Sequence, residues 1–144
     1  MIYADGTALS RFLPGVACYE DWMRWAIPQL GDITTTQLGL TEVRQIVELY
    51  PREQKAEAYE IVKKIKTHVP VMRISDENVQ VSSHAAAVLQ PLAAIHLGAA
   101  VAHPKVDTIA TYDIELARAA VLYELKVVTP GMPDGWHNGV AGAS

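Results

Sequence analysis

The stretch TIATYDIELARAAVLYELKVVTPG, residues 108–131, decides the fold. Thr108 to Thr111 is a short β-branched and apolar run that ends at Tyr112-Asp113, as a buried strand does. Glu115 to Leu125 carries an apolar stripe at helical spacing, an amphipathic helix. Lys126 to Thr129 is strand-like again and is stopped by Pro130-Gly131. The same alternation runs back to the start of the chain. Met1 to Ala4 is an apolar strand that meets Asp5-Gly6, and Ile33 to Thr36 is a β-branched second strand. Between them lie a short helix over Ala8 to Leu13, stopped at Pro14-Gly15, and a second over Ala17 to Leu30. Helices then follow at Leu40 to Tyr50 and from Pro51 to Lys66, a short strand at Val69 to Ile74, and helices at Asp76 to Leu89 and Pro91 to Ala102. Strands alternating with helices predict a central parallel sheet of four to five strands, covered on both faces: a three-layer α/β/α domain.

With 144 residues, half of them hydrophobic, the chain is sized for one core. Residues 1–131 read as that domain, and 132–144, rich in Gly and Ala, as a flexible tail with Trp136 as its exception. No apolar run approaches the ~20 residues a bilayer span needs, and the first residues lack the pattern of a signal peptide. The lone Cys18 has no partner for an internal disulfide. A cytoplasmic protein with no membrane attachment is the expectation. The net charge of −4 gives no overall positive field. Contact with nucleic acid would need a bound cation or a local basic strip. Arg52, Lys55, Lys63, Lys64 and Lys66 supply such a run, read first as a solvated helix face and second as an RNA contact.

Ligands of parallel sheets bind beyond the carboxyl ends of the strands. Asp5 and Asp113 stand at two such ends, and Glu42 lies near the start of the helix after the second strand. Each acid alone reads as a helix cap or a solvated residue. Crowded together they would repel, and would have to hold protons or a hard divalent cation such as Mg²⁺ or Mn²⁺.

Four segments in order carry a resemblance. Met1 to Leu9, with Asp5-Gly6-Thr7, resembles the opening of PIN-domain ribonucleases, in particular the VapC-type toxins of bacterial toxin–antitoxin pairs. Thr35 to Val43, with Glu42, is similar to the second motif of that family. Ala110 to Asp113 followed by Glu115-Leu116-Ala117 is similar to the fourth, and Val127 to Gly131 to the usual ending. The resemblance implies a PIN-like fold and metal-dependent endoribonuclease activity on RNA phosphodiesters. Asp5 and Asp113 would hold Mg²⁺ or Mn²⁺, Glu42 its water shell, and Thr111 would orient the cluster. It also implies a cognate antitoxin and a homodimer as partners, with some of Phe12, Leu13, Tyr19, Trp22 and Trp25 lining a groove for them.

The third motif departs. In Leu92-Ala93-Ala94-Ile95-His96-Leu97, Ala93 occupies the family's acidic position, so one carboxylate is missing. Gly6 is a second departure, at a place where a hydroxylated residue is common. His96 reads as a packing and hydrogen-bonding residue rather than a ligand, because Mg²⁺ prefers oxygen. Without the fourth acid, metal affinity should fall by one or two orders of magnitude. A natural degenerate member and an introduced Asp-to-Ala change are both compatible with this pattern. The competing class is a non-catalytic module that binds antitoxin or RNA. An unrelated nucleotide or phospho-acceptor domain is disfavoured, since no glycine-rich phosphate loop occurs and Asp5 has no acidic neighbour.

Overall fold

The computed structural model describes residues 1–86 and 89–138. Four strands, β1 (Ile2–Ala4), β2 (Ile33–Thr34), β3 (Thr108–Ala110) and β4 (Lys126–Val128), make one all-parallel sheet in the order β2-β1-β3-β4. Seven α-helices surround it among the described residues: α1 (Gly6–Leu9), α2 (Tyr19–Ala26), α3 (Gln37–Glu48), α4 (Arg52–His68), α5 (Asp76–Ala85), α6 (Pro91–Ala102) and α7 (Ile114–Leu122).

β1 takes the centre because every one of its side chains is apolar enough to be buried, whichever face it points to. Ile2 and Ala4 join a core with Leu9, Trp22, Ile33, Leu40, Val43 and Val62, under α1 to α4. Tyr3 points the other way, into a core with Leu97, Ile109, Leu116 and Ala120, under α6 and α7. One core on each side of the sheet is the three-layer arrangement expected from the alternation.

The expected strand at Val69 to Ile74 contributes a single rung. Pro70 has no amide to donate, and its carbonyl accepts from Thr35 N at 3.1 Å and Thr34 Oγ1 at 2.9 Å. Beyond that, pairing is limited to an isolated parallel bridge between Thr35 and Val71. The sheet therefore holds four strands.

Helices α5 and α6 pack with almost no gap. Asn78 Nδ2 donates to Gly98 O at 2.9 Å, and a Cβ on Gly98 would fall 2.4 Å from Asn78 O. The helix expected to reach Leu89 ends at Ala85, and residues 87–88 lie outside the described residues. The expected flexible tail is folded as far as Asn138. Trp136 Nε1 donates to Thr129 Oγ1 at 2.6 Å, and Arg118 Nε donates to His137 O at 2.8 Å, so an indole and a guanidinium both tie the segment down. Residues 139–144 lie outside the described residues. No helix among the described residues is long and apolar enough to cross a membrane.

Candidate functional site

The strand register places the first acid. Tyr3 pairs with Ile109 and Ala4 with Ala110, so the next step brings Asp5 beside Thr111 at the carboxyl edge. Asp5 is still extended, and its amide donates to Ala110 O at 3.3 Å. This edge is also a topological switch point, because the chain leaves β1 toward β2 on one side while β3 lies on the other.

Asp5 is 2% exposed, and its carboxylate is fully engaged. Oδ1 accepts from Thr7 Oγ1 at 2.7 Å and from Ala8 N at 2.9 Å, which caps α1. Oδ2 accepts from Thr111 Oγ1 at 2.8 Å. Burial pushes the carboxyl above its ordinary value; the nearby His96 and these hydrogen bonds pull it back only in part. Thr111 Oγ1 also accepts from Asp113 N at 3.1 Å, so it links the Asp5 carboxylate to the Asp113 backbone.

Asp113 itself does something else with its side chain. Oδ1 accepts from Glu115 N at 2.9 Å and Leu116 N at 3.2 Å, which caps α7. The capping explanation of this acid is thus seen for Oδ1, while Oδ2 accepts no hydrogen bond among the described residues.

Glu42 lies on α3, whose N-cap Thr36 is separated from β2 by Thr35 alone. Its Oε1 accepts from Gly6 N at 3.2 Å and from His96 Nε2 in a short contact. A Cβ on Gly6 would sit 2.4 Å from Glu42 Cβ and 2.6 Å from Oε1, so only glycine lets the glutamate fold over this point. Gly6, a departure in the sequence pattern, is a steric requirement of the pair.

His96 is the residue whose role the sequence understated. It is 2% exposed, and its Nδ1 meets Tyr3 Oη at 2.6 Å. Tyr3 Oη in turn meets Thr36 Oγ1 at 3.0 Å. Burial holds the Tyr3 phenol far above its usual value, so it stays a donor. Tyr3 Oη thus bridges Thr36 Oγ1 and His96 Nδ1, and the other ring nitrogen, Nε2, donates to the Glu42 carboxylate. The signal was present: Tyr3 and His96 carry lone polar groups in otherwise apolar elements, and buried polar groups seek partners. Ala93 lies three residues before His96 on the same side of α6 and is buried with it.

Arg11 was not singled out either. Its guanidinium stacks over Tyr112 at 4.2 Å from the ring centroid, and Tyr112 N donates to Thr7 Oγ1 at 2.8 Å.

No family model, curated protein or solved structure matches the chain.

The donor set, all carboxylate oxygens, is of the chemical kind that suits Mg²⁺ or Mn²⁺. Both Asp5 oxygens, Glu42 Oε1 and Asp113 Oδ1 are already acceptors of protein hydrogen bonds. Among the described residues no three carboxylate, imidazole or thiol side chains converge as a metal cage. Hydrogen bonds of this kind orient carboxylates and leave them lone pairs, and among the described residues Glu42 Oε2 and Asp113 Oδ2 accept none. Beside them His96 faces Glu42.

Proposed function

We propose that this chain is a PIN-type domain of the VapC endoribonuclease kind, a hydrolase of RNA phosphodiesters neutralised by a cognate antitoxin, whose cleavage is weakened or abolished through Ala93. One observation carries the reading: Asp5, at the end of the central strand, is gripped by Thr7 and by Thr111, the residue that also anchors Asp113. A capping aspartate needs only the backbone donor of Ala8. The two extra hydroxyls orient a carboxylate that is costly to bury, which is the usual mark of a functional acid. Fold class and topology are compatible with that assignment, and the motifs fall at the switch point where such a site belongs.

A second reading has support of its own. Glu42 is satisfied by His96 and Gly6 without any cation, which favours a non-catalytic module that keeps the fold and binds antitoxin or RNA.

Reverting Ala93→Asp divides the two. A fourth carboxylate there would crowd Glu42 and should demand a cation. The reverted protein is expected to show Mn²⁺-dependent RNA cleavage and a Mn²⁺-dependent rise in Tm, both larger than those of the present chain. If the revertant folds, takes up Mn²⁺ and leaves RNA intact, the ribonuclease reading is lost and the binding module stands.

A further inference from the structure

A cationic cleft lies between α3 and α4, lined by residues other than those of the carboxylate site. It encloses about 370 Å³ and is lined by Arg44 from α3 and by Tyr59, Glu60, Val62, Lys63 and Lys66 from α4. Tyr59, Val62, Lys63 and Lys66 follow the i, i+3, i+4, i+7 spacing of one helix face, with the buried Val62 as the floor. Arg44 enters from the opposite wall.

Its charge is poorly compensated. Among the described residues Arg44 and Lys66 pair with no carboxylate. Lys63 meets only Glu60, at 3.8 Å, with both side chains mostly exposed. Such a pair is worth little and yields to a stronger anion. The helix dipole accounts for Lys66 near the end of α4 but not for Arg44, which belongs to another helix. In a protein of net charge −4, three cations on one concave surface mark a place for an anion brought from outside. Tyr59, 37% exposed, adds an aromatic face one turn before Lys63.

We propose that this cleft binds single-stranded RNA: Arg44, Lys63 and Lys66 take backbone phosphates, and Tyr59 takes an unpaired base by stacking. Charge and ring together fit a strand better than a free phosphate, which has no base to stack, or a duplex, whose bases are covered. The choice of RNA rests on the ribonuclease reading above; the cationic cleft does not.

The test is fluorescence anisotropy of a labelled uridine decamer with the full chain, in EDTA so that no cleavage intervenes. Three phosphate contacts predict a slope of about −2 in log K against log salt, hence about a 20-fold loss of affinity from 50 to 200 mM KCl. Arg44→Gln with Lys63→Gln and Lys66→Gln should flatten that slope. The exposed pair Lys63→Gln and Lys66→Gln alone, which leaves the half-buried Arg44 in place, should remove about two thirds of it. Tyr59→Ala should weaken binding about 5-fold or more at every salt concentration with the slope unchanged. Arg52→Gln with Lys55→Gln, on the same helix outside the cleft, should keep affinity within about 2-fold. Absence of binding by the unaltered chain, an equal loss in the Arg52 and Lys55 control, or tighter binding of a duplex would each overturn the proposal. None of these outcomes bears on the Mn²⁺ assay of the Ala93→Asp protein, so the two readings fail separately.

Discussion

Thr111 Oγ1 donates to Asp5 Oδ2 at 2.8 Å across 106 positions of sequence, and the same hydroxyl oxygen accepts from Asp113 N at 3.1 Å. One hydroxyl therefore ties the ends of two parallel strands to each other and to the start of α7. Replacing it with an isosteric methyl isolates that contribution. Thr111→Val should cost about 1.5–3 kcal/mol of unfolding free energy, the range for a hydrogen bond to a charged group, because it leaves a buried carboxylate oxygen unmet. Urea denaturation at neutral pH reads it, and a cost below about 0.5 kcal/mol would mean that Asp5 is held by Thr7 and Ala8 alone.

Gly6→Ala tests the clasp between α3 and α6. Its methyl would collide with Glu42 Cβ and Oε1, so the glutamate must swing out and give up both His96 and Gly6 N. The expected loss is about 1–3 kcal/mol, from overpacking and the released hydrogen bonds together. The ¹⁵N shifts of the His96 ring should change in the same variant, and unchanged shifts would show the clasp intact.

Asp5 supplies the pH dependence. Its carboxyl is raised in the folded protein, so the native state holds the proton more tightly than the unfolded chain does. That favours folding below the ordinary Asp value of about 3.9, and the contribution is lost as pH rises through the higher, folded value. Asp5→Asn removes the titration. Stability of the unaltered protein relative to Asp5→Asn should therefore fall on going from acid toward neutral pH, measured by urea midpoints across the range. A relative rise would give the shift the opposite sign.

Gly98→Ala should destabilise although alanine is the better helix former by about 1 kcal/mol. The added carbon meets backbone, Asn78 O at 2.4 Å, as well as Ser82 Oγ at 2.3 Å, so α5 must move away. A net loss of about 1–3 kcal/mol is expected, seen as a lower urea midpoint. A stabilised variant would show the two helices free to separate.

Much of this was legible because periodicity reports burial. The apolar stripe of α4 and the buried runs of β1 and β3 appear in the sequence as they stand in the fold. Asp5 and Asp113 were singled out by their place after strands and Glu42 by its place early in the next helix, whereas Thr111 came only from the family resemblance. What could not be read depends on geometry between distant segments. Val69 to Ile74 gives a single rung, Thr35 against Val71, made by Thr35 N to Pro70 O and Met72 N to Thr35 O. Gly6 looked like a lapse until Glu42 was seen to occupy the space of its missing side chain. That Asp113 also caps α7 through Oδ1 depends on the turn after β3, which composition does not show. Met132 to Asn138 read as loose by composition, and Arg118 and Thr129 hold it.

The central pairing of β1 with β3 has a consequence for synthesis. Ile2 must wait for Thr108, and Asp5 for Thr111, so no partial chain on the ribosome can complete either the middle of the sheet or the acid's hydrogen bonds. Pairings so remote in sequence form slowly, and they leave the two flanking segments searching meanwhile. An emerging chain carries Asp5 long before Thr111, so the oriented carboxylate comes into being only once a further 106 positions have been made. Whatever this edge does, a truncated product cannot do it.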